Sequence, residues 1–250
     1  MGGPLLMLPP ATSWRAARLV TALAGMGNCA HMLALRGEAK GMANEIINVD
    51  VVRRASLNTD PYPYFTASDF IDPKAVPALH ASFPDIKKTG FHPASDMSFS
   101  GAFAKLMAEL ESPELIDALS QTLGEPLQNT ARFITIRKVS AAHEGRIHCD
   151  GEAKIGNFLV YLNDEWSGHD GCLRVLRSKD SFDDYVAEIN PTTGHVFGFL
   201  RRDHSWHGHT PFVGERRVIQ VAWLRSQEDL DRKTSRHRLS NVLKGLFGKH

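Results

Sequence analysis

Between residues 131 and 224 the chain changes its period. The stretches "ARFITIRKVS", "NFLVYLND", "GCLRVLRS", "GHVFGF" and "RRVIQVAWL" are short, rich in β-branched and aromatic residues, and separated by turn-forming residues. In an extended segment successive side chains point to opposite faces, so each stretch reads as a strand with at least one face to bury. Several short strands at such intervals pack as an antiparallel sandwich or jelly roll. No internal repeat and no low-complexity tract interrupts the pattern.

Helical spacing precedes the strands. "SGAFAKLMAELESPELIDALSQTLGE" places Phe103, Leu106, Met107 and Leu110, then Leu115, Leu119 and Leu123, at intervals of three and four. Two consecutive helices joined at Ser112-Pro113 are expected, because proline is tolerated only in a first helical turn. In "TASDFIDPKAVPALHASFPDI", Ser68 or Asp69 offers a cap for a short helix broken at Pro73 and Pro77. After the strands, "EDLDRKTSRHRLSNVLKGLFGKH" aligns Leu239, Val242, Leu243, Leu246 and Phe247 on one helical face. The fold expected is mainly β with flanking α.

A chain of 250 residues, 42% hydrophobic and 23% charged, suffices for one domain with one full core. That domain is expected over 42–250, with its motif core at 130–225 and a C-terminal helix at 227–247. Residues 1–41 contain Arg15, Arg18 and Arg36 but no acid before Glu38. They have the composition of a targeting peptide, but an extension ahead of Met42 is the favoured reading, and they are read as an unstructured extension or alternative-start segment. A net charge of +1 gives no global reason to expect nucleic acid as partner. Three widely spaced cysteines do not form a disulfide framework, which suggests a reducing, cytoplasmic setting. No apolar run is long enough to suggest a membrane span.

Chemistry concentrates at "HCDGEAKIGNFLVYLN", residues 148–163. In a strand, His148 and Asp150 project to the same side and Cys149 to the other. Two ligands do not make a tight site, and the third must come from elsewhere. "RRDHSWHGHTPFVGERRVIQVAWL" supplies His204, His207 and His209. Two histidines and one carboxylate form a facial set that binds iron(II) and leaves positions open.

His148-x-Asp150, Tyr161-Leu162-Asn163, Gly171-x-Leu173, Pro191-x-x-Gly194, and then His207 followed by Pro211, Gly214, Arg217 and Trp223 together resemble the iron(II)- and 2-oxoglutarate-dependent dioxygenases, in their prolyl-4-hydroxylase-like branch. The resemblance covers about residues 130–225. It implies a double-stranded β-helix (jelly roll, cupin-like) with the N-terminal helices packed on one sheet. It also implies Fe(II) as cofactor, 2-oxoglutarate and O2 as co-substrates, succinate and CO2 as products, and ascorbate as an auxiliary reductant. By the same resemblance His148, Asp150 and His207 are the catalytic metal ligands, with His209 the alternative to His207 if a bulge shifts the register. Arg217 is assigned to the distal carboxylate of 2-oxoglutarate, which a planar guanidinium binds through paired hydrogen bonds. A register error of one residue would exchange it with Arg216. Tyr161 and Leu173 are assigned to the hydroxyl contact and the apolar wall of the same pocket. Arg137 or Lys138 sits where the resemblance implies a further co-substrate or substrate contact, though a surface charge is the favoured reading for both.

Asp150 favours hydroxylation over halogenation, since halogenating relatives lack this carboxylate. A cupin-like metal-binding isomerase or sensor, which has no need of the carboxylate-binding pair, and a noncatalytic module of the same fold, whose usual sign is a lost metal ligand, are the competing classes. Substrate identity stays open among peptidyl proline, an amino acid, and a small metabolite or sugar, because substrate choice belongs to loops such as 140–147 and 163–171. Oligomeric state is equally open. Because iron loading requires neutral imidazoles, activity is expected to weaken below about pH 6.

Overall fold

A computed structural model describes residues 46–235. All of them belong to one compact unit, Asn44–His250. The segment 1–41 and the distal part of the expected C-terminal helix lie outside the described residues. The elements follow in the order α1 (Val49–Arg53), β1 (Tyr64–Ala67), α2 (Val76–Ala81), β2 (His92–Pro93), α3 (Gly101–Leu110), α4 (Pro113–Leu123), β3 (Ala131–Ser140), β4 (Lys154–Tyr161), β5 (Leu173–Leu176), β6 (Tyr185–Ile189), β7 (Val196–Leu200), β8 (His207–His209) and β9 (Gly214–Leu224). Residues 227–235 are helical.

The strands form a six-stranded sheet ordered β1-β7-β4-β9-β3-β2 and a three-stranded sheet ordered β6-β5-β8. Every ladder in them is antiparallel. This is the expected double-stranded β-helix.

Alternation along the strands divides the core in two. On one face of the large sheet, Phe158, Val160, Ile219, Val221 and Trp223 pack with Phe103, Leu106, Leu115 and Leu119 of α3 and α4. On the other, Leu159, Tyr161, Phe197, Phe199 and Val218 meet Leu173 and Val175 of the small sheet. Burying each large apolar side chain contributes about 1.5–3 kcal/mol, so the helix-facing layer supplies much of the stability. α4 begins where its sequence dictates: the Ser112 hydroxyl accepts from the Leu115 amide at 3.3 Å, Pro113 occupies the first turn, and Gly124 closes the helix at φ 65°.

The expected cap at Ser68 or Asp69 is not made. α2 starts only at Val76, with Pro77 in its first turn, and its cap residue is Ala75. Tyr64–Ala67 instead extends as β1 along β7, and Asp69 lies at φ 60°, outside helical space. None of the described helices is long and apolar enough to cross a membrane.

Candidate metal centre and its anion pocket

Strand register explains how distant residues converge. β5 pairs with β8 so that Val175 lies opposite His207 and Leu173 opposite His209. Val175 and Leu173 face the space between the sheets, and directly opposed residues share a face, so both histidines point inward. His148 is tied to His207 by two main-chain hydrogen bonds, His148 N to His207 O at 3.0 Å and His207 N to His148 O at 3.1 Å. Their rings lie 4.4 Å apart. Asp150 follows two residues on, and one ligand atom from each of His148, Asp150 and His207 falls within 4.8 Å of the others.

The protonation of this cluster suits a cation. His148 Nδ1 lies 2.8 Å from the Arg146 carbonyl and His207 Nδ1 lies 2.9 Å from the Ser205 carbonyl. A carbonyl only accepts, so each Nδ1 carries the proton and each Nε2 keeps a free lone pair. Burial lowers His207 to about 4, against the opposing pull of Asp150, so its imidazole is neutral at pH 6. The expected loss of activity below about pH 6 therefore does not originate in this ligand. Burial raises the Asp150 carboxyl, but Lys154 and the two imidazoles outweigh it and hold the group at about 2. Lys154 Nζ sits 2.5 Å from Asp150 Oδ1, and Asn157 Nδ2 donates to Oδ2. Asn157 in turn accepts from Gln220 at 3.1 Å.

Deeper between the sheets lies a second constellation. Tyr161 and Arg216 are both fully buried, with the guanidinium carbon 5.3 Å from the ring centroid. Arg216 Nε donates to the Gly171 carbonyl at 2.8 Å, while Arg216 Nη2, Tyr161 Oη, Arg137 Nε, Ser140 Oγ and His209 Nε2 are buried without a hydrogen-bond partner. An unpaired buried polar atom costs about 1–3 kcal/mol, more if charged. Several together in one interior, two of them on guanidinium groups, fit a bound anion. Arg137 stacks over Phe91 at 4.2 Å and pairs with Glu144 at 3.5 Å; burial lowers it to about 10. It is not the surface charge its sequence suggested, whereas Lys138 lies partly exposed beside Asp85.

The structure does not bring Arg217 to this pocket. Arg217 also has Nε and Nη1 buried without a hydrogen-bond partner, but it shares strand parity with Ile219, Val221 and Trp223 on the helix-facing side, and its guanidinium lies 5.4 Å from the Phe83 centroid and pairs with Glu215. Arg216 shares parity with inward-facing Val218 and takes the interior position. β9 is buried on both faces, so "VIQVAWL" shows no clean apolar alternation from which parity could be read. The polar Gln220, four residues beyond Arg216, was the available signal.

Leu173 lines the interior as expected. His209 is not part of the metal cluster. Its Nδ1 donates to the Thr210 carbonyl at 2.8 Å, and burial beside Arg216 and Arg137 lowers it to about 3. Gly145, at φ +82°, leaves room for the ring, since a Cβ there would come within 2.2 Å of it. Cys149 lies away from the ligands, with its thiol near the Asp203 carbonyl. Phe199 is fully buried with its ring 4.7 Å from that of His207.

The model of the 2OG-Fe(II) oxygenase superfamily matches residues 134–225. Among solved structures, a prolyl-4-hydroxylase from Pseudomonas putida is 20% identical, with 71% of this chain and 92% of that chain covered and a TM-score of 0.51. A prolyl 4-hydroxylase from Phytophthora capsici is 20% identical, with 78% and 73% covered and a TM-score of 0.49. A prolyl hydroxylase from Trichoplax adhaerens, in complex with a hypoxia inducible factor oxygen degradation domain peptide fragment, is 15% identical, with 73% and 91% covered and a TM-score of 0.49. No curated protein matches the chain.

Proposed function

We propose that the chain, whose residues 134–225 match the 2OG-Fe(II) oxygenase superfamily model, is an Fe(II)- and 2-oxoglutarate-dependent dioxygenase that hydroxylates its substrate. The observation that carries this reading is the pairing of two features in one interior: a His-Asp-His cluster with both imidazole Nε2 atoms free, and a buried Arg216–Tyr161 pair with unsatisfied polar atoms. A metal-binding isomerase or sensor needs the first feature and has no use for the second.

His148, Asp150 and His207 hold the iron. Arg216 and the Tyr161 hydroxyl receive the distal carboxylate of 2-oxoglutarate, with Leu173 as the apolar wall and Arg137 as a further cation. When bound, Fe(II) supplies the oxidative chemistry that splits 2-oxoglutarate to succinate and CO2 as substrate is hydroxylated by O2. The chain positions these groups and keeps water out. Asn157 and Lys154 orient the Asp150 carboxylate, and Phe199 covers one face of His207, so the ligand set is pre-organised. Ascorbate as reductant and a cytoplasmic setting accompany this reading.

Anaerobic addition of Fe(II) and 2-oxoglutarate to the full chain should produce the weak visible charge-transfer band of the chelate. Succinate release should follow once O2 and substrate are present. His207→Ala should abolish the band. Stoichiometric iron binding without a band would refute the oxygenase reading in favour of a cupin-like metal protein.

A further inference from the structure

A cavity of about 540 Å³ opens between the loop that follows Asp150 and the helix over 227–235. Lys154, Arg225, Arg232 and Lys233 line it, with Glu152 and Asp229 as its acids. The acids do not balance the cations. Asp229 is taken by Arg232, and Arg225 Nε is turned to the Glu152 main-chain carbonyl at 2.9 Å. Lys233 is partly buried, with its ammonium 5.4 Å from the Phe133 centroid, and makes no ion pair among the described residues. Lys154 links this cavity to the metal cluster, because the residue lines the cavity and its ammonium contacts Asp150 Oδ1.

We propose that this cavity is a substrate subsite that binds a small anionic group, a carboxylate or a phosphate, so that the substrate is an anionic molecule held by its charged end beside the metal. The proposal rests on the dioxygenase reading and supplies the substrate class that reading leaves open. Lys233, partly buried and without a carboxylate partner among the described residues, attracts an anion more strongly than a solvated surface lysine does. The wall built from the Asp150 loop puts the rest of such a molecule next to the triad. The anion site is separate from the Arg216 pocket, so substrate and 2-oxoglutarate can bind together.

The test uses the full chain loaded with zinc and saturated with 2-oxoglutarate, titrated with sulfate and with acetate while backbone amide resonances are followed. Saturable shifts at Gly151–Lys154 and Arg225 are expected, with a dissociation constant raised at least tenfold in Lys233→Glu and unchanged in Lys179→Glu on the exposed 177–180 loop. Preference for sulfate would assign a phosphate-bearing substrate, and preference for acetate a carboxylate. Absence of saturable shifts at these amides, or equal binding by Lys233→Glu, would overturn the proposal. On the iron form, succinate release is then compared for carboxylates and phosphate esters against their neutral amide or alcohol analogues. Stimulation confined to the charged member of a pair, and weakened by Lys233→Glu, is the expected result; equal stimulation by the neutral member would overturn the substrate assignment. The chelate band is read on the same iron sample. Its absence would refute the oxygenase reading even if sulfate binds, whereas a band without sulfate binding would refute only the anionic subsite.

Discussion

The two faces of the six-stranded sheet are made by the same strands yet serve opposite purposes. Against α3 and α4 the face is a continuous apolar layer of Phe158, Val160, Ile219, Val221 and Trp223. Toward the small sheet, the same strands present Arg137, Asn157, Tyr161, Arg216 and Gln220 among fewer apolar residues, with several polar atoms unpaired. A shift of one residue along β9 separates Arg216 from Arg217, and it separates an interior cation from one stacked on Phe83. Stability and chemistry are thus written in alternate letters of one strand. Arg217 Nε and Nη1 and Trp223 Nε1 on the helix-facing side are buried without a partner too, so the two faces differ in apolar content rather than in the presence of unpaired atoms.

The comparison breaks most visibly in the outer layer. Phe158→Ala leaves a cavity between sheet and helices and should cost about 3–5 kcal/mol, measured by denaturant unfolding of the metal-free chain. On the inner face, Arg216→Ala should keep the fold while the 2-oxoglutarate concentration that saturates the chelate band rises on the order of 100-fold, about 2.7 kcal/mol. Retention of full 2-oxoglutarate affinity by this variant would remove Arg216 from the pocket. Acid tests the inner face without mutation. His207 binds its proton at about 4 when folded, below the ordinary histidine value of 6.5. Between these values the unfolded chain holds more protons, so stability is full above pH 6.5 and is lost as pH falls toward 4. Going from pH 7 to pH 4.5 should cost the metal-free chain about 2 kcal/mol from His207 alone, visible as a falling denaturant midpoint. Arg217→Ala should change 2-oxoglutarate saturation by less than about threefold, below about 0.7 kcal/mol. An effect equal to that of Arg216→Ala would mean that parity does not separate the two arginines.

Legibility in the sequence followed the same division. β3 was readable to its ends, Ala131 to Ser140, because its alternation is bounded by turn residues. The α3–α4 junction was readable because Ser112-Pro113 can only begin a helix. β8 was not, since Gly208 and two histidines carry no hydrophobic period and their conformation is set by pairing with β5. β1 was hidden by the turn-rich segment around it. In the site, the common direction of His148 and Asp150 follows from spacing alone, but the choice between Arg216 and Arg217 does not. Lys154 and Asn157 carry no mark in the sequence, and Arg137 reads there as a surface charge, because their importance arises from burial, a tertiary property. Lys154 and Asn157 nevertheless sit four and seven residues beyond Asp150, a spacing that could have marked them.

The paired main-chain hydrogen bonds between His148 and His207 also bear on how such a protein can diversify. The distance between the two imidazoles is fixed by a backbone ladder, which does not depend on the identity of neighbouring side chains. Loops 140–147 and 163–171 can then be rewritten outside Glu144, Gly145, Arg146 and Gly171, which support the site, while the spacing of the metal ligands is inherited unchanged. A grafted loop that alters selectivity need not be accompanied by compensating mutations at the ligands, which makes this fold a forgiving starting point for directed evolution.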